Sequence, residues 1–341
     1  MKLGKLSESV LKRSVLKEIP FNRIDVTLSA GVSVDCGAIK IPKGHILVAT
    51  TDPITCALTD IPTFAVHTVI NDIAVMGAEP LGITITILLP EDAMESDLKK
   101  MMRSFNNICV SQNLQILGGH TETTSAVNRP IVSITGIGSV LEEELLDIHN
   151  IKPGQDIVMT KGIGIEGTAI LARDWEKDLL KRFSPSFIKN CKDFINDISV
   201  REECSIAKTF DVTAMHDVSE GGIFGSLWEM AASAGVGVEA ELKQILVKQE
   251  TIELCELFDL NPYSIISGGT ALIVTDRGDE LVSLLQENEI AAAVIGKVIH
   301  GNDRVVINGE ERRFLEPPRC DELQRLMQER GVYEKTNTGN D

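Results

Sequence analysis

Residues 67–80, HTVINDIAVMGAEP, constrain this chain most, because an apolar run is interrupted at its centre by Asn71 and Asp72. Read as a helix, Val66, Ile70, Ile73, Ala74 and Gly77 recur at spacings of three and four, so one face is core. Gly77 and Pro80 stop it. Carboxylates beside a buried face are rare unless paired or bound to a metal. The stretch is therefore expected to be a buried helix that carries Asp72 into a cleft. A cap or a structural ion pair is the alternative reading.

Strand-like and helix-like segments alternate around it. GVSVDCGAIKI (31–41) places Asp35 between two glycines in a strand-like context. A buried strand over 46–49 closes in Thr-Thr-Asp, presenting Asp52 at a sheet edge or, more blandly, in a turn before Pro53. Residues 81–90 are rich in β-branched side chains and read as a strand. Leu98, Met101, Met102, Phe105 and Ile108 then have helical spacing. A loop over 118–124, between two apolar strands, concentrates Gly118, Gly119, His120 and Glu122. The first twenty residues read as a short amphipathic helix.

Lys152-Pro153-Gly154 is a turn signal and sets a domain boundary near 150. The expected layout is an N-terminal domain over 1–150, a C-terminal domain over 151–330 and a flexible tail over 331–341. After the next strand, Gly162, Gly164 and Gly167 lead into a helix. They could receive phosphate on backbone N–H groups or only shape a tight turn, and they match neither common nucleotide fingerprint. A strand then leads to Asp217, Ser219, Glu220 and Gly221-Gly222 before an apolar helix. The helix dipole accounts for acids at that position. The double glycine implies close backbone approach to the other domain or to a ligand. The alternation fits an α/β (α+β) chain of two domains.

Acidic residues outnumber basic ones 50 to 33, a net charge of −17. That argues against nucleic acid or an anionic membrane as partner. It leaves nucleotides open, because a metal ion neutralises phosphate locally. Apolar runs are too short to span a bilayer, and the N-terminus has no signal-peptide core. The seven cysteines are scattered, with no CxxC pair, as in a reduced, cytoplasmic protein without a cysteine zinc site. Asp35, Asp52, Asn71-Asp72 and His120 with Glu122 are each flanked by apolar sequence, so they are expected to converge on one cleft. Several hard oxygen donors suit Mg²⁺ shared with phosphate, which makes nucleotide phosphoryl chemistry the leading class.

In order, GVSVDCGAI, TTDPIT, AVHTVINDIAVMGAEP, LGGHTET and MHDVSEGG resemble the aminoimidazole ribonucleotide synthetase superfamily. Its relatives are thiamine monophosphate kinase, selenophosphate synthetase and the hydrogenase maturation factor HypE, and HypE-like members are the most similar. The resemblance covers roughly residues 1–320. It implies a PurM-like fold: an N-terminal sheet domain forming a barrel across a homodimer, and a C-terminal sheet flanked by helices. It further implies ATP with Mg²⁺, and an enzyme that phosphorylates an oxygen of a small or carbamoyl-type acceptor. A nucleotide-binding regulatory or scaffold protein without turnover is the alternative. By motif, Asp35, Asp52 and Asp72 match metal–phosphate ligands, supported by Asn71, Gly118 and Gly119. His120 and Glu122 replace the usual GGDT or GGET pattern and are the candidate catalytic pair. Glu220 is a third catalytic candidate, and Asp217, Gly221 and Gly222 match the cofactor-facing segment of the second domain. SVDCG stands where relatives show GDD, with Val34 at an acidic position. Pro318-Arg319-Cys320 partly matches the Pro-Arg-x-Cys tail of HypE, but about twenty residues follow it. Cys320 is therefore expected to be an ordinary surface thiol.

Overall fold

The computed structural model describes residues 3–332. The expected tail over 331–341 lies almost wholly outside them. The chain divides into two compact units: Ile70–Ala78 with Glu143–Arg325 forms the second, and the rest of the chain forms the first.

In the first unit the strands are β1 (Gly4–Lys5), β2 (Val26–Leu28), β3 (Ala38–Ile39), β4 (His45–Ile54), β5 (Glu79–Leu89), β6 (Gln115–Thr123) and β7 (Ile131–Leu141). Its helices are α1 (Glu8–Ser14), the first part of α2 (Ile61–Val75) and α3 (Glu95–Ser111). Among the described residues the main sheet runs β1-β6-β5-β7-β4, and β2 pairs with β3. Period-two alternation gives this sheet two unlike faces. Ile83, Ile85, Ile87 and Leu89 of β5 are buried, as are Phe64, Val66 and Val69 of α2 and Leu98, Met102 and Phe105 of α3. The opposite face carries threonines at one level, since Thr84 pairs with Thr135 and Thr135 with Thr51. Thr135 donates to the Thr51 hydroxyl at 3.0 Å, and Leu47 is half exposed on the edge strand β4. Pro53 is tolerated there because the outer side of an edge strand needs no N–H donor.

In the second unit β8 (Asp156–Thr160), β9 (Ala214–Val218), β10 (Gly237–Glu241), β11 (Thr270–Thr275), β12 (Ala292–Ile299), β13 (Arg304–Asn308) and β14 (Glu311–Phe314) form one sheet. Its order is β14-β13-β10-β12-β8-β11-β9. Between the strands lie α4 (Ile165–Asp174), α5 (Glu176–Leu179), α6 (Pro185–Asp193), α7 (Arg201–Lys208), α8 (Gly222–Ala234), α9 (Gln249–Phe258) and α10 (Gly278–Glu287). The centres of two strands, residues 157–159 in β8 and 271–274 in β11, are apolar throughout because both faces are covered. Ile157, Met159, Leu272 and Val274 face one core with α8. Val158, Ala271 and Ile273 face another with Cys204 and Ala207 of α7 and Leu281 and Leu285 of α10.

Several local expectations are corrected. The N-terminal helix is only α1, preceded by the short strand β1, which pairs with β6. β4 does not stop at Asp52 but continues to Ile54. The polar stretch 118–124 is no loop: β6 runs through to Thr123, held by parallel pairing with β5. The polar end of the chain forms one more helix, α11 (Glu322–Glu329), which buries Leu323, Leu326 and Met327.

Candidate functional site

In the first unit, the segment before β3 and the start of β6 meet around a cavity of about 140 Å³. Asp35, Gly118, Gly119 and His120 line it, with Lys5 and Ser33. Its walls are Leu6, Val15, Ile85, Ile87 and Met102. Val34 is also in the lining. The two glycines differ in kind. A Cβ on Gly119 would lie 2.0 Å from the Ile85 carbonyl oxygen, so only glycine lets β6 approach β5 there. A Cβ on Gly118 would meet open space, which leaves its backbone accessible to a ligand.

Strand alternation then turns His120 and Glu122 to one side. They are in register with Thr86 and Leu88, on the threonine-bearing face. Their side chains touch, Nε2 to Oε2 at 3.1 Å, and both are partly exposed. An imidazole held by a carboxylate has its tautomer fixed and can accept or deliver a proton.

Asp52 is in register with buried Ile134, so it projects from the opposite face of the sheet. Thr50 donates to its carboxylate at 3.4 Å. Asn71 and Asp72 fall in the part of α2 that belongs to the second unit. Asn71 is buried, and both ends of its amide are used: Nδ2 donates to the Ile198 carbonyl and Oδ1 accepts from the Val200 N–H, each at 2.9 Å. The structure thus gives Asn71 a main-chain task, and Asp72 follows it on the helix.

Asp217 lies near the end of β9, Glu220 and Gly221 form the turn after it, and Gly222 opens α8. Asp217 is buried. The double glycine does make a close approach, but within its own unit: a Cβ on Gly222, at φ +62°, would lie 2.6 Å from the Tyr263 carbonyl and 2.8 Å from that of Ile265. The 161–167 loop likewise shapes a turn. Gly164, at φ +68°, precedes α4, and a Cβ there would strike Thr251.

Two acids that the sequence reading passed over lie near this turn. Glu166 is buried in α4, and burial, then the Asp321 charge, push its carboxyl up to about 8. Asp321 accepts from the N–H groups of Gly221 and Leu323, both at 2.8 Å, and burial raises it to about 7. Glu166 had the same signal as Asp72, an acid inside an apolar helix. Asp321 had none, since its partner Gly221 is 100 residues away. Cys320 is exposed, as expected. It lines a second cavity, of about 300 Å³, with Phe224, Leu315 and Pro318.

Among the described residues, no three His, Cys, Asp or Glu side chains are grouped to hold a metal ion. Separate carboxylates suit Mg²⁺ that arrives with phosphate and keeps several waters, rather than a metal in a protein cage. Among the described residues no helix is long and apolar enough to cross a membrane.

Two compact units, each built on one main sheet with helices packed against it, define a mixed α/β protein. Residues 33–140 match the N-terminal domain model of AIR synthase related proteins, and 152–308 match the C-terminal domain model. The chain belongs to the AIR synthase-related family, whose PurM-like fold it has. It is 26% identical over 332 residues to a putative hydrogenase expression/formation protein of Methanocaldococcus jannaschii, covering 95% of this chain and 97% of that one. It is 27% identical over 279 residues to carbamoyl dehydratase HypE of Cupriavidus necator, covering 78% and 76%. The crystal structure of hydrogenase maturation protein HypE in complex with ATP matches in fold, with a TM-score of 0.76 at 20% identity, covering 95% of this chain and 97% of that one.

Proposed function

We propose that this protein is an ATP- and Mg²⁺-dependent enzyme, HypE-like, that activates an oxygen of a small acceptor by phosphorylation. The single observation that carries this reading is the strand β6, which brings the open Gly118 backbone and His120 to the cavity that Asp35 lines, with Glu122 in contact with the His120 imidazole. Support comes from a HypE relative named a carbamoyl dehydratase and from a fold neighbour bound to ATP. A carbamoyl-type or thiocarbamate acceptor is the substrate class that follows.

In this reading Asp35, Asp52 and Asp72 supply oxygen ligands, and Asn71 holds the Asp72 turn. Mg²⁺, when bound, neutralises phosphate oxygens. Gly118 and Gly119 let phosphate or acceptor approach the backbone. His120, oriented by Glu122, takes the proton from the acceptor as its oxygen is phosphorylated, and ADP leaves. Asp217, Gly221 and Gly222 form the cofactor-facing turn of the second unit, with Glu220 as a further proton acceptor.

A homodimer would form through the sheet of the first unit, paired strands closing it into a barrel. The protein works in the cytoplasm on this account, with neither nucleic acid nor membrane as partner. The test is ADP release from ATP and Mg²⁺ across a panel of carbamoyl, thiocarbamate and amide acceptors. Acceptor-dependent release supports the enzyme. Tight ATP binding with no release for any acceptor would assign the protein instead to a regulatory or scaffold role.

A further inference from the structure

Residues 197–200 form a strap in the second unit whose carbonyls are taken in turn from two directions. From one side, the Lys161 ammonium donates to the carbonyls of Asp197 at 2.9 Å and Ser199 at 2.5 Å. From the other, Asn71 holds the carbonyl of Ile198 and the N–H of Val200. The anchor of Lys161 is itself buried. Its Nζ lies 2.8 Å from the Glu203 carboxylate, which is 2% exposed and accepts from Thr160 at 3.2 Å. Gly269 packs beneath the strap, where a Cβ would lie 2.5 Å from the Asp197 carbonyl and 2.9 Å from the Ile198 Cα. Two side chains thus hold the strap, and the Gly269 backbone packs against it.

We infer that Lys161, seated by Glu203, is a positioning residue for Asp72. This rests on the reading of Asp72 as a carboxylate for Mg²⁺. The Asn71 clip needs the Ile198 carbonyl and the Val200 N–H to face it together. Lys161 fixes the peptide groups on either side of that carbonyl, and so fixes the clip. The clip holds the turn of α2 on which Asp72 follows Asn71. A buried ion pair contributes little net stability compared with apolar side chains of similar size. Its two main-chain bonds give this one a geometric task instead. Losing a group that orients a metal ligand typically weakens metal affinity by about ten- to a hundredfold.

The test uses the full chain and reads the Mg²⁺ concentration that half-saturates ATP binding. Lys161→Met alone leaves Glu203 buried and unpaired, so it is paired with Glu203→Gln to keep the protein folded. Lys161→Arg, with Glu203 intact, is the conservative variant. The double variant is expected to keep a cooperative melt, raise the half-saturating Mg²⁺ about tenfold and speed hydrogen exchange at the Val200 amide. Lys161→Arg is expected to remain within about threefold of wild type. Asp72→Asn, run alongside, must itself abolish the Mg²⁺ dependence. If it does, and the double variant keeps the wild-type half-saturation, the positioning role is overturned alone. If Asp72→Asn keeps the wild-type Mg²⁺ dependence, the carboxylate reading fails and the inference falls with it.

Discussion

His120 Nε2 and Glu122 Oε2 stand 3.1 Å apart, two residues along one strand and on one face of it. The pair is partly exposed, so it contributes little to stability, as exposed ion pairs do. A proton-transfer role predicts a different cost. His120→Ala or Glu122→Ala should lower kcat by about 10²-fold while stability moves by about 0.5 kcal/mol or less. Steady-state kinetics with a thermal melt on each variant checks this. Wild-type turnover in both would remove the pair from the chemistry.

Asn71 makes the opposite prediction. Truncation to Ala leaves the Val200 N–H and the Ile198 carbonyl unpaired in a buried place. The expected loss is about 2–4 kcal/mol, from two unsatisfied groups. Asn71→Asp should not restore it, because a carboxylate oxygen would then face the Ile198 carbonyl. Denaturant unfolding of the two variants measures both effects.

Stability should also depend on pH. Glu166 and Asp321 have folded pKa values of about 8 and about 7, above their ordinary 4.5 and 3.8. The folded state therefore binds protons more tightly than the unfolded one. Their contribution is complete below pH 4 and is lost as pH rises, ending near pH 8. Each group contributes a slope of about 1.4 kcal/mol per pH unit between its unfolded and folded pKa, and the two add where those intervals overlap. Wild-type Tm should fall between pH 6 and 8.5, and Glu166→Gln should flatten that fall. A Tm that rises over this interval would contradict the assignment.

Much of this was legible before the fold was known. Helix α2 follows from its three-and-four spacing, and β5 follows from its β-branched run. The 118–124 stretch was misread because Gly118-Gly119 looks like a break in a strand. The pairing of β6 with β5 overrides it, since Gly119 lets the two backbones meet. Asn71 was expected beside a ligand, yet its partners lie 127 and 129 residues away. No local pattern encodes that distance. The double glycine at 221–222 signalled a close approach correctly, while the approaching segment, 263–265, was visible only in the fold.

The central claim is that the scattered carboxylates serve Mg²⁺ and ATP. The most direct measurement is calorimetric titration of the protein with ATP and Mg²⁺, repeated with EDTA and with Asp52→Ala and Asp72→Ala. The account predicts binding that EDTA abolishes and that each substitution weakens by about tenfold or more. Undiminished Mg²⁺–ATP affinity in both variants, or no ATP binding by the wild type, would contradict it.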